Sequence, residues 1–150
     1  MATSTIDSVN TPVLRATSQR RDLYQSEFGL NAFFDRQDRI VFYGGLDAAA
    51  RVVAMPRHLG VCVRSALLAD RMQMPIISSL TSRWLFLTGS APKDSALSIL
   101  FGPGSRFAKN DVVLMQGVLI TLPTPGCPDA TWISAPSGRD RPPFNELFAC

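Results

Sequence analysis

The chain is poor in the side chains that build metal and disulfide frameworks. Its three cysteines, Cys62, Cys127 and Cys150, form no C-x-x-C and no Cys/His ligand spacing. That excludes the usual zinc patterns, and the odd number excludes a closed disulfide framework. His58 is the only histidine, so a cysteine or serine nucleophile has a single candidate base and no third group at a fixed spacing to orient it. Carboxylate pairs of the Asp-x-Asp type are missing, as is any G-x-S-x-G run. Nothing in the sequence therefore prearranges divalent ions for phosphoryl transfer or a serine for acyl transfer. No cofactor and no metal are expected. No apolar run approaches the roughly 20 residues that cross a bilayer. The first ten residues, MATSTIDSVN, also lack the basic and apolar regions of a secretory signal. The expected address is the cytoplasm, with no membrane partner and with the oligomeric state left open.

What is present is a globular composition. With 46% hydrophobic and 18% charged residues in 150, the chain is one ordinary domain that buries about 68–70% of its unfolded surface. The net charge is +3, from 15 basic and 12 acidic side chains, and thirteen of the basic ones are arginine. A planar guanidinium suits phosphate and carboxylate, so the skew fits a nucleic-acid or acidic protein partner. A nucleotide bias in the host genome explains the same skew without one.

Residues 1–10 read as a disordered leader and residues 11–150 as a single domain. Thr11-Pro12 is a helix start, predicting a first helix over residues 12–27. Residues 31–43 hold two β-prone runs around the tip DRQD, a hairpin signal, and residues 51–55 are a further apolar strand closed by Pro56. A second helix is expected over residues 56–72. At about 100° per residue, Leu59, Cys62, Val63, Ala66 and Ala69 gather on one side as its core face. Opposite them Arg57, Arg64 and Arg71 recur every seven residues, about 10.5 Å apart per step. That row is either a phosphate-neutralising surface or a solvated face. Residues 75–79 and 83–87 read as strands. The second is apolar throughout, as in the interior of a sheet covered on both faces, with Trp84 in the core. Residues 111–115 and 117–122 are strand-like runs split by Gln116-Gly117 and are expected to pair as a hairpin. A rigid loop at 123–128, a strand at 131–134 and helices at 92–101 and 142–150 complete an α/β fold, with α+β as the variant: one compact domain with a mixed sheet and about four helices.

The stretch SRWLFLTGSAPKDS runs from a strand through a glycine into a helix, the order in which many phosphate sites are built. It has one glycine where a Walker A loop has two, and Pro92 removes a donor from the turn. A helix N-terminus still attracts anions, which makes Gly89, Ser90 and Lys93 a candidate anion site.

The run RVVAMPRHLG, followed by SRWLFLTG and later VLITLPTPG, resembles small actinobacterial proteins that look like a degenerate N-terminal domain of bifunctional DNA primase/polymerases. The resemblance covers about residues 51–134. It implies an α/β scaffold, an actinobacterial source and dealings with nucleic acid or nucleotides. The acidic pair and the histidine of those enzymes have no residue-by-residue counterpart here, so no active site is carried over. The expectation is a non-enzymatic cytoplasmic regulatory or adaptor domain that binds a protein or nucleic-acid partner through Arg57, Arg64 and Arg71. The alternative is a primase/polymerase-like nucleotide-binding enzyme working near Gly89 to Lys93.

Overall fold

The computed structural model describes residues 2–44, 51–89, 101–139, 141 and 142, with side chains from residue 12 onward. In chain order the elements are α1 (Ala2–Ser26), β1 (Phe33–Phe34), β2 (Ile40–Gly44), β3 (Arg51–Pro56), α2 (Arg57–Ala69), β4 (Ile76–Ser79), β5 (Arg83–Thr88), α3 (Arg106–Lys109), β6 (Val113–Met115), β7 (Val118–Thr121) and β8 (Ala130–Ser134). The strands form a three-stranded sheet, β1-β2-β7, and a five-stranded sheet, β6-β3-β5-β4-β8. The helices and sheets pack as one α/β domain. Every pairing among the described residues is antiparallel. The single mixed sheet expected from sequence is thus two antiparallel ones, which is the α+β form of the class.

The five-stranded sheet is covered on both sides, and its central strands show why their sequences do not alternate. Val52 and Ala54 of β3 and Leu85 and Leu87 of β5 face a core shared with Ile40, Phe42 and Ile120 of the smaller sheet and with Tyr24 of α1. Their neighbours Val53, Met55, Trp84 and Phe86 face a second core beneath α2, with Leu67, Met74 and Val112. A strand buried on both faces needs apolar residues at successive positions, and WLFL, between Arg83 and Thr88, supplies them.

Four expectations change. The helix expected to start at Thr11 and Pro12 begins at Ala2 and holds Pro12 inside it, so the stretch read as a disordered leader is helical from Ala2. Proline forfeits one backbone bond there, and residues 2–11 contain no other glycine or proline to stop the helix. The hairpin expected from residues 111–115 and 117–122 does not form: β6 pairs with β3 and β7 with β2. Gly117 is the reason. At φ 68° it takes the left-handed conformation that glycine adopts freely. Its N–H donates to the Gly44 carbonyl at 2.8 Å, and there the chain passes from the larger sheet to the smaller.

The third change is in α2, whose buried residues are Gly60 and Leu67 rather than Cys62 and Ala69. Leu59 and Val63 of the expected face do pack against the core, but Cys62 and Ala69 are exposed, so the face is turned away from their side. Gly60 sits directly on the Trp84 indole, where an added Cβ would come to 2.9 Å from Cε3. A bare glycine lets the helix backbone approach the ring, a contact that a count of apolar side chains overlooks. Fourth, α3 was not anticipated. Its cap is Ser105, whose hydroxyl accepts from the Ala108 N–H. The helices expected at residues 92–101 and 142–150 lie outside the described residues except for Phe101 and Pro142.

The α1 end is fastened by polar contacts. The buried Tyr24 hydroxyl donates to the Pro123 carbonyl at 2.6 Å and accepts from the Trp132 indole N–H at 3.2 Å. Burial raises its pKa, while the Trp132 and Arg20 side chains pull the other way.

Candidate functional site

The junction of β3 and α2 has no turn between strand and helix. Pro56 is both the last residue of β3 and the N-cap of α2, extended at φ −60° and ψ 149°. A proline has neither a hydroxyl nor a carboxylate to offer the first-turn N–H groups, and no side chain caps them. The first turn also lacks an acidic residue. The partial positive charge of a thirteen-residue helix is therefore left without a counter-charge on the helix itself.

β5 brings a second positive group to this end. The register pairs Pro56 with Arg83, so the guanidinium of Arg83 rises beside the start of α2. The tight turn between β4 and β5 adds Thr81 and Ser82, the latter held at φ 61°. Together with Arg57, His58 and Asp111 these residues line an open recess of about 690 Å³. Arg57 has no hydrogen-bond or ion-pair partner among the described residues. Arg83 makes one long contact, from Nη2 to the Asp111 carbonyl at 3.4 Å. Asp111 contributes the single acidic side chain of the lining, against two guanidinium groups and the helix terminus. Chemically the arrangement can hold a phosphate or carboxylate, with backbone N–H groups, two arginine forks and the Ser82 hydroxyl as donors.

A smaller cleft, of about 310 Å³, lies on the other side of the β4–β5 turn. Leu80, Leu85, Leu119 and Ile120 make its apolar walls, and Arg39 and Asp129 stand beside them. Arg39 is fully engaged by acids: Nε meets Asp35 Oδ2 at 2.8 Å and Nη1 meets Asp129 Oδ2 at 2.9 Å. Burial pushes the Asp35 carboxyl up, but the backbone N–H and guanidinium of Arg39 and the N–H of Gln37 outweigh it and hold the carboxyl below the ordinary value. Thr81 and Arg83 line both cavities and form the wall between them.

The arginines expected as a row do not stand together. Arg57 opens α2 and reaches the recess. Arg64 is half-buried beside the core face, with its Nε buried and without a hydrogen-bond partner. Arg71 lies past the end of the helix, at φ 59°, because α2 stops at Ala69. A seven-residue spacing makes a row only while the helix lasts. Of the anion candidate Gly89, Ser90 and Lys93, only Gly89 is within the described residues. Its N–H donates to the Pro142 carbonyl at 2.9 Å, so that donor is committed to the fold. Sequence reasoning missed Arg83, which reads as the flank of a strand. The signal was its place opposite Met-Pro, where a strand passes straight into a helix.

Among the described residues no three His, Cys, Asp or Glu side chains cluster as metal ligands. None of their helices is long and apolar enough to cross a membrane. Comparison with known proteins gives no match, whether to family models, curated proteins or solved structures.

Proposed function

We propose that the chain is a non-enzymatic cytoplasmic regulatory or adaptor module that binds nucleic acid through its phosphates at the start of α2. One observation carries this reading: the uncapped N-terminus of α2 and the guanidinium groups of Arg57 and Arg83 converge on one open recess with a single carboxylate in its lining. Positive groups that share a cavity repel one another, a cost that an anion removes on binding. The hydroxyl of Ser82 completes a donor set suited to phosphate oxygens, while that of Thr81 is engaged with Ser79 Oγ at 2.9 Å. The free, exposed thiol of Cys62 fits a reducing compartment.

The test is fluorescence anisotropy with labelled oligonucleotides from about 50 to 200 mM salt. Each phosphate engaged adds about 0.7 to 0.9 to the slope of log affinity against log salt. The double variant Arg57→Ala, Arg83→Ala is expected to weaken binding for every sequence and to lower the slope by about 1.4 to 1.8. An affinity indifferent to salt, or a double variant that binds like the parent, refutes the reading.

A further inference from the structure

The outer face of the three-stranded sheet is the second unexplained feature of the surface. Residues opposite one another in an antiparallel pair share a face. Phe34, Ile40, Phe42 and Ile120 point into the core, so Phe33, Tyr43 and Leu119 lie on the other side. They are 36%, 44% and 49% exposed. The rings of Phe33 and Tyr43 stand 5.6 Å apart with their planes tilted by 32°. Val41 lies on the same face, opposite Phe33 and two residues from Tyr43, and is buried, so the two rings flank a covered valine and offer a ligand the part of their π-surface that stays exposed.

This face is continuous with the recess. Tyr43 pairs with Leu119 across β2 and β7, and Leu119 and Leu80 line the smaller cleft, whose wall of Thr81 and Arg83 also bounds the recess. Leu80 is 70% exposed. A ligand leaving the start of α2 thus crosses Thr81 and Arg83, passes the two leucines and arrives at Tyr43 and Phe33.

We propose that this path is a binding track for single-stranded nucleic acid, with phosphates held in the recess and unpaired bases packed on Leu119, Tyr43 and Phe33. The inference rests on the phosphate reading above and adds the state of the strand. A duplex keeps its bases stacked inside and offers the recess only its backbone, leaving the aromatics unused. A single strand presents a π-face with every nucleotide and fills both regions. An acidic protein matches the charge of the recess but gives the aromatic pair nothing specific to stack on.

The experiment uses the full chain and four probes: a labelled oligothymidylate of about 12 nucleotides, an abasic strand of the same length, a duplex of the same length, and polyglutamate as competitor. Oligothymidylate is expected to bind at least about tenfold more tightly than the abasic strand and the duplex, since stacking one base contributes roughly that factor or more. The double variant Phe33→Ala, Tyr43→Ala is expected to weaken oligothymidylate roughly 5- to 150-fold. Its affinity for the abasic strand and its salt slope stay unchanged, because neither ring carries charge. The variant Phe33→Leu, Tyr43→Leu keeps the apolar surface and is expected to show the same selective loss, which separates stacking from misfolding. Equal affinity for oligothymidylate and the abasic strand, a duplex bound as tightly, or aromatic variants that bind like the parent overturn the track while leaving phosphate binding in place. Failure of every oligonucleotide to bind at low salt overturns the recess reading with it. Displacement of oligothymidylate by polyglutamate at equal charge concentration overturns it in favour of an acidic protein.

Discussion

Two regions of the domain use arginine in opposite ways. Around the β1–β2 turn and the end of α1 the side chains are tied down: Arg39 is shared between Asp35 and Asp129. Arg139 donates to the Ser26 carbonyl at 2.7 Å and Arg141 to the Phe28 carbonyl, both at the C-terminal end of α1, where a helix presents carbonyls and partial negative charge. At the start of α2 the field has the other sign and the arginines have little to hold. Arg57 has no partner among the described residues, and Arg83 has one long contact to a carbonyl. A guanidinium set against carbonyls or carboxylates closes a structure, whereas one set beside the positive end of a helix leaves a place for an anion. Position in the fold, rather than the count of thirteen arginines, separates the two roles.

The contrast can be broken most forcefully at Gly60. Replacing it by valine puts side-chain atoms where a Cβ alone already comes to 2.9 Å from the Trp84 ring. It should lower stability by about 3 kcal/mol and weaken nucleic-acid binding as well, because lifting α2 separates Arg57 from Arg83. Urea unfolding and anisotropy on the same preparation check both. Tyr24→Phe, at the fastened end, should cost about 2 kcal/mol by leaving the Pro123 carbonyl and the Trp132 N–H without their shared partner. Affinity for oligonucleotides should not move. If it does, the two regions are not independent.

A smaller effect is read from acid titration. The Asp35 carboxyl lies below its ordinary value in the folded state, so the folded protein favours the deprotonated form. That contribution is complete above the unfolded value of about 4 and is lost as the pH falls through the lowered folded value. Thermal unfolding followed from neutral to acid pH should show the midpoint dropping below about pH 4, with a shallower drop in Asp35→Asn. The smallest change is expected at Arg64. Its Nε is buried without a partner, so Arg64→Met should leave stability within about 1 kcal/mol of the parent and binding untouched. A large loss of affinity would place Arg64 in the binding surface after all.

The sequence was most legible where burial alone decides. RWLFLT could only be a strand covered on both sides, and the structure sets it at the centre of five. The DRQD tip likewise lies between β1 and β2, with Asp35 receiving the N–H groups of Gln37 and Arg39. Legibility failed where a glycine carries the information. Gly60 has no hydrophobicity to count, yet it fixes which side of α2 meets Trp84. Gly117 was read as a turn between partners and instead divides the two strands between two sheets. The recess was half visible: Arg57 was on the candidate row, but Arg83 enters through a long-range strand register. Arg71 left the row because helix α2 ends two residues earlier.

The most direct measurement is the salt dependence of oligonucleotide affinity for the parent chain and for Arg57→Ala, Arg83→Ala, together with their unfolding midpoints in urea. The start of α2 as a phosphate site requires a steep slope in the parent and a slope lower by about 1.4 to 1.8 in the variant, at a stability within about 0.5 kcal/mol of the parent because both arginines lack strong partners. Equal slopes at equal stability would contradict it.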